Sequence, residues 1–326
     1  MQPQLSVNIG RLRLKNPVMV ASGTFGYAEE FSDFMDLKQL GAIVTKTITL
    51  KPRQGNPPPR TCETPAGMLN SIGLENPGID QFLSEKLPAL KKFNVPVIVS
   101  IASEDNPAEF KELAKRLNKI NAVAALELNI SCPNIKVHSS KFIVHSKKLR
   151  AMSYERGAKL IAQDAKATYE LVRAVRKVTK KTLITKLSPN VTDISEIALA
   201  AERAGSDAVA LINTITAMSI DVETRQPRIA TITGGLSGPA IRPIALRMVW
   251  EVYRKIKIPI IGMGGIIDTS TALEFFMAGA TAISVGTANF IDPGVTLEII
   301  AGIKKYLQKN KISSLNKLIG AIRCQS

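Results

Sequence analysis

The sequence is short of cysteine, histidine and tryptophan, with three, two and one of them in 326 residues. Cys62, Cys132 and Cys324 stand far apart and form no CxxC pair. That argues against a disulfide framework and against zinc or iron–sulfur ligation within this chain, so no metal site is expected. A reducing, cytoplasmic setting is the corresponding expectation. The two histidines, His138 and His145, share one segment, so a histidine base has no other source. Long apolar runs are also missing. The longest uncharged one, Phe275–Ile291, is rich in Gly, Ala, Thr and Asn and is short for a membrane span. The start, Met-Gln-Pro-Gln-Leu, lacks the basic and apolar regions of a signal peptide, and a soluble chain is expected.

What is present is 45% hydrophobic residues, enough for a large core, and a net charge of +16. The charge is local. Residues 136–181 carry 13 Lys/Arg against 3 Asp/Glu, and residues 302–326 carry 6 against none, leaving the remainder neutral. Such segments suit an acidic partner or nucleic acid, but they also suit a plain solvated surface. Phe142 and Tyr154 are the main stacking candidates in the first segment, too few for a base-stacking platform.

Leu5–Asn16 alternates apolar and polar residues around Gly10-Arg11, the pattern of a β-hairpin. Eight short apolar runs follow: Pro17–Ser22, Ala42–Thr49, Pro96–Ala102, Ala125–Ser131, Leu183–Ser188, Ala208–Thr214, Pro259–Gly265 and Ala282–Ala288. Helical patterns separate them at Ala28–Leu40, Ile79–Lys92, Pro107–Asn121, Asp164–Lys177, Asp193–Ala204, Ala240–Lys255 and Thr269–Ala278, with a last one at Gly294–Gln308. Continuous apolar strands alternating with amphipathic helices imply a parallel sheet covered by helices. Eight units favour an α/β (β/α)8 TIM barrel, and no linker divides residues 1–326, so one domain is expected.

In that fold the chemistry sits at the C-terminal strand ends. There the sequence places Ser22, Lys46, Thr47, Asn129, Cys132, Lys186, Ser188, Asn213 and Thr214. The last two strands end in glycine, at Gly262-Met-Gly-Gly265 and Val285-Gly-Thr287, which lets backbone approach a phosphate. Tight turns would use the same glycines, but two adjacent strands ending this way favour an anion. Lysine in an apolar strand is costly unless an anion pairs with it, although a side chain at a strand end can also snorkel to water. Lys46 and Lys186 near one rim therefore suggest a shared anionic ligand. Asn70, Asn129, Asn134 and Asn213 both donate and accept, as a planar heterocycle with amide-like edges requires, whereas any one alone would suit a turn. A lone buried cysteine is more often inert packing. Cys132, at a strand exit near these lysines, could be a usable base. Three connections on this face, Lys51–Gly78, Pro133–Gln163 and Ile215–Gly238, are long enough for binding loops, the last with a hairpin near Glu223–Arg225.

These segments resemble class 1 dihydroorotate dehydrogenases. The likeness is carried by Lys46-Thr-Ile-Thr-Leu-Lys-Pro-Arg-Gln-Gly-Asn-Pro-Pro-Pro-Arg60, Asn70-Ser-Ile-Gly-Leu-Glu-Asn-Pro-Gly78 and Asn129-Ile-Ser-Cys-Pro-Asn134. Lys186-Leu-Ser-Pro-Asn190, Ile212-Asn-Thr214, Gly234-Gly-Leu-Ser-Gly-Pro239, Gly264-Gly265 and Gly286-Thr287 add to it. The Asn-Pro-Pro-Pro-Arg loop and Glu63-Thr-Pro-Ala-Gly67 are most similar to the NAD-linked class 1B form.

The resemblance implies an FMN-dependent oxidoreductase of pyrimidine biosynthesis that converts dihydroorotate to orotate. It implies Cys132 as the catalytic base that takes the C5 proton, while hydride leaves C6 for flavin N5. It places Lys46, Asn70, Ser71, Ile72, Gly73, Leu74, Asn129, Asn134, Asn213 and Thr214 around the substrate. Ser22, Lys46, Thr47, Ser100, Asn129, Lys186, Ile212, Gly238, Gly264, Gly265, Gly286 and Thr287 would surround FMN, with Ser100 where many relatives carry asparagine. It further implies a homodimer core within a heterotetramer, whose second subunit carries FAD and a 2Fe-2S cluster and passes electrons to NAD+. Neither membrane nor nucleic acid is an expected partner.

The chain departs from the family pattern after Cys132. There a Gly-Gly pair is missing and Asp164 lies roughly twenty residues later than expected, long for a barrel loop. Two alternative functions follow from the sequence: a dihydropyrimidine dehydrogenase-like flavin enzyme, or a non-catalytic barrel that binds partners through this basic insert.

Overall fold

A computed structural model of the chain describes residues 2–103, 106–131 and 160–323. Eight parallel strands close into a barrel in sequential order. They are β1 (Val18–Val20), β2 (Ala42–Val44), β3 (Val97–Ile101), β4 (Val123–Asn129), β5 (Thr182–Lys186), β6 (Ala208–Leu211), β7 (Ile260–Gly262) and β8 (Ala282–Val285). Closure comes from β8 pairing with β1, Ile283 opposite Val18 and Val285 opposite Val20. All eight strands are apolar enough to be buried on both faces, as a helix-wrapped parallel sheet demands.

The hairpin Val7–Ile9 with Leu12–Leu14 lies at the bottom of the barrel. Gly10 turns there with φ +56°, close against Asp207 at the start of β6. Val7, Ile9 and Leu14 join the larger of the two apolar core clusters. Helices Ala108–Asn118, Ala165–Arg176, Ile194–Ala204, Arg242–Tyr253, Thr269–Ala278 and Val295–Lys309 follow β3 to β8. Their starts are chemically marked. Asp164, Asp193 and Asp268 each cap a helix by accepting from a backbone N–H.

One expectation is corrected and two gain detail. Residues 28–40 form no α-helix, only the short 3-10 turns Glu29–Phe31 and Leu37–Gln39. Ala28 is left-handed, φ +73°, so the chain bends where a helix would start, and Phe25 stacks on Phe31 at 3.8 Å between ring centroids. The helix between β2 and β3 carries a π turn, Phe82–Lys86, between the α-helical turns Gly78–Gln81 and Leu87–Lys91. Finally, two of the long connections are not simple loops. Thr61–Thr64, Gly67–Asn70, Thr233–Ser237 and Ile215–Met218 pair into one antiparallel sheet, in that spatial order. The small hairpin is present, with Ile220–Asp221 against Gln226–Pro227.

Candidate active site

Strand alternation sorts the residues of β4. Leu126 and Leu128 join the apolar cluster of helix Ala108–Asn118, while Glu127 and Asn129 make polar contacts within the barrel. Neighbouring parallel strands in register then build polar layers, with Ser100 beside Glu127 and Asn129 beside Lys186.

The strands end sooner than the apolar runs suggest, so several site residues lie just beyond them. Lys46 and Thr47 follow β2, Ser188 follows β5, and Ile212, Asn213 and Thr214 follow β6. Lys46 is thus not embedded in a strand. It is partly exposed, with its Nζ 3.9 Å from Glu75, whose carboxylate also accepts from Arg60 at 2.7 Å. Lys186 closes β5 and is 5% exposed; its Nζ donates to Ser22 Oγ at 3.1 Å. Among the described residues no carboxylate pairs with it. A buried, unpaired ammonium is costly and readily satisfied by an anion.

A continuous set of hydrogen bonds crosses the rim. Ser100 Oγ donates to Glu127 Oε1 at 2.8 Å and shares a 2.9 Å contact with Thr47 Oγ1. Asn129 Nδ2 donates to Thr47 Oγ1 at 3.3 Å, and Asn213 Nδ2 donates to Asn129 Oδ1 at 3.4 Å. Thr214 N–H donates to Asn213 Oδ1 at 2.8 Å. Asn190 donates to the Thr214 carbonyl and accepts from Thr216 N–H, tying this corner to the overlying sheet. On that sheet Asn70 Nδ2 donates to the Gly235 carbonyl at 3.3 Å. Beyond Asn70, Ser71 Oγ is enclosed and lacks a hydrogen-bond partner among the described residues. Ile72 O accepts from Asn56 N–H, and Gly73 and Leu74 take positive φ values as the chain turns.

The glycines converge at the end of strand Thr233–Ser237. Gly238, Gly264 and Gly265 all have positive φ. A Cβ on Gly265 would lie 2.9 Å from the Gly238 carbonyl and 3.1 Å from Arg242 N, and one on Gly264 would touch Ile212 at 3.4 Å. Thr287 Oγ1 donates to Ser237 Oγ at 2.9 Å, which brings the Gly286-Thr287 turn to the same place. The 3-10 turns after Gly238 and Gly286 both start at this cradle. A phosphate group fits such a donor set. With Lys186, Ser22 and the amides beside it, the residues present fit a phosphorylated planar cofactor.

Cys132 and Asn134 lie outside the described residues, as does the insert at 137–159. Among the described residues no three His, Cys, Asp or Glu side chains gather as a metal site, and no helix is long and apolar enough to cross a membrane. Sequence reasoning missed Glu127, Glu75 and Asn190. An acid two residues before Asn129 in an otherwise apolar strand was the available signal for Glu127. Glu75 and Asn190 acquire their places only through tertiary contacts.

Comparison with known proteins agrees with this arrangement. The family model for dihydroorotate dehydrogenase matches residues 4–307. The chain is 52% identical over 322 residues to the "Dihydroorotate dehydrogenase B (NAD(+)), catalytic subunit" of Trichlorobacter lovleyi, covering 99% of both chains. The subunit of the same name from Geotalea daltonii is also 52% identical over 322 residues, with 99% of each chain covered. That from Bacteroides thetaiotaomicron is 49% identical over 318 residues, with 98% of each covered. The closed barrel, the polar rim and these full-length matches together place the chain in the dihydroorotate dehydrogenase family.

Proposed function

We propose that the chain is the catalytic subunit of an NAD+-linked dihydroorotate dehydrogenase, which oxidises dihydroorotate to orotate in pyrimidine biosynthesis. The observation that carries this reading is the rim itself. Two lysines, the linked amides of Asn129 and Asn213, and the enclosed Ser71 hydroxyl stand beside a glycine cradle at one end of the barrel.

Gly264, Gly265, Gly286 and Thr287, with Gly238, would hold the phosphate of FMN. Ser22, Thr47, Ser100, Asn129, Ile212 and Lys186 would line its ring. When bound there, FMN supplies the hydride acceptor for the substrate C6 hydrogen. Lys186 would bring positive charge to the ring of a bound flavin, which suits a group that accepts electrons. Lys46 is the candidate partner of the substrate carboxylate. Asn70, Asn129, Asn134, Asn213 and Thr214 meet the ring amides, and Ser71, Ile72, Gly73 and Leu74 wall the substrate from the sheet side. Cys132 accepts the C5 proton, which is acidic because a carbonyl is adjacent.

Electrons would then leave through a partner subunit, as the name "catalytic subunit" of relatives implies; FAD and a 2Fe-2S cluster in that partner rest on the sequence resemblance alone. A homodimeric core and a cytoplasmic setting are further parts of this proposal and rest on the sequence resemblance alone.

The test is an absorption spectrum of the purified chain before and after anaerobic dihydroorotate. A yellow protein that bleaches with dihydroorotate and not with dihydrouracil is the expected result. Bleaching by dihydrouracil alone would overturn the substrate, and a colourless chain that binds DNA with steep salt dependence would overturn the enzyme reading.

A further inference from the structure

The carboxylate of Glu127, 2% exposed, lies inside the barrel and takes no part in the mechanism above. Its connections give it a role. A serine hydroxyl has a single proton, and Ser100 gives its proton to Glu127 Oε1. In the 2.9 Å contact between Ser100 and Thr47, Thr47 must therefore be the donor. With its own proton committed, Thr47 Oγ1 can only accept from Asn129, so the carboxamide of Asn129 turns its Nδ2 to Thr47. Asn129 Oδ1 is then left facing Asn213, which donates to it, and Asn213 is fixed independently by the Thr214 N–H on its own Oδ1. Every donor in this chain points toward the acid.

The two ends of an asparagine amide have nearly the same shape and are distinguished by their partners. We propose that Glu127 is a positioning residue that fixes the donor–acceptor order which Asn129 and Asn213 present to the substrate ring. The inference rests on the reading of that rim as the dihydroorotate site. Without the acid, Ser100 is free to donate to Thr47, and Thr47 to Asn129. The Asn129 amide then turns over and sets an N–H against the N–H of Asn213. One ring-facing donor becomes an acceptor, and a ligand with amide edges loses a matched hydrogen bond.

The test compares Glu127→Leu, Glu127→Gln and Ser100→Ala in the FMN-loaded protein, with orotate as the probe and the shift of the flavin spectrum as the readout. The Leu variant removes the acceptor and should weaken orotate binding about tenfold, the scale of one lost hydrogen bond. Ser100→Ala breaks the relay one step later and should weaken it similarly. The Gln variant keeps an Oε1 acceptor for Ser100 and should restore the affinity to within about twofold of the original.

A purely structural role would lower flavin content and melting temperature in the Leu variant and leave the Kd of its remaining holoprotein unchanged. That result overturns the proposal. Failure of Gln to restore binding would show that charge matters instead of hydrogen-bond direction, and overturns it equally. If Glu127→Leu does not fold, the Ser100→Ala comparison decides alone. If orotate leaves the spectrum of the unmodified holoprotein unmoved, the dihydroorotate reading falls, and this inference with it. A response there with the same Kd in the Leu and Ala variants overturns only the role of Glu127.

Discussion

Glu75 accepts from Arg60 at 2.7 Å while its other neighbour, Lys46 Nζ, lies 3.9 Å away. One carboxylate is thus shared by a loop arginine and by the lysine proposed to bind the substrate carboxylate. Arg60 is held in turn by the Asn56 and Gln54 carbonyls, so the loop fixes where this acid sits.

Glu75 competes with the substrate for Lys46. Replacing it by glutamine removes the competing charge, and KM for dihydroorotate should fall with kcat little changed. The carboxylate is half exposed, so the pair is worth about 0.2–1 kcal/mol, or roughly a 1.4- to fivefold change in KM. Steady-state kinetics at low salt measure it, and a raised KM would contradict the competition.

Cys132→Ala should keep the yellow flavin and lose most of its reduction by dihydroorotate at neutral pH, a loss of about 100-fold or more for a missing general base. Stopped-flow reduction under anaerobic conditions measures this directly. Near-normal reduction would mean that another group takes the proton.

The glycines of the cradle should differ in tolerance. Gly265 has φ +76° and a crowded Cβ direction, so Gly265→Ala should cost about 1–3 kcal/mol of stability and release the flavin. Gly286 has an ordinary negative φ, and its Cβ direction is open to 3.6 Å. Gly286→Ala should be the milder change, because a Cβ there meets nothing closer than 3.6 Å and its φ is not left-handed. Thermal melts and flavin-to-protein absorbance ratios separate the two, and equal damage in both would refute the argument from φ.

Asp193 caps helix Ile194–Ala204. The Ser195 hydroxyl at 2.6 Å, and then the Ser195 N–H at 2.8 Å, hold its carboxyl below the usual carboxylate range. Folding therefore favours the charged form. The stabilisation is full above the ordinary carboxylate pKa of about 3.9 and is lost as pH falls through the lowered folded value. Asp193→Ala should cost about 1 kcal/mol near neutral pH, with the gap to the unmodified chain narrowing below about pH 4. Urea titrations at several pH values would show it, and a gap that widens in acid would reverse the sign argued here.

The barrel was legible because each strand is a continuous apolar run bounded by turn residues, and capped amphipathic helices fall between most of them. Residues 28–40 misled because their apolar spacing suits a helix, while the left-handed Ala28 and the Phe25–Phe31 stack bend the chain instead. In the site, Lys186, Asn129 and the glycine pairs could be read from polar or flexible residues at strand ends. Thr61–Asn70 and Ile215–Ser237 could not, since their pairing joins segments more than 140 residues apart and neither alternates strongly by itself. The position of Glu127, an acid two residues before Asn129 in an apolar strand, was visible, but the direction of its hydrogen bonds is encoded by no spacing.

The sheet over the barrel mouth also sets an order of assembly. Asn70 is held by Gly235, and Met68 pairs with Ser237, so the wall beside the proposed substrate cannot exist until the chain has grown past Ser237. The glycine cradle needs Thr287 as well, and barrel closure needs β8 against β1. A growing chain therefore carries a half-built barrel mouth until its last strand has been made.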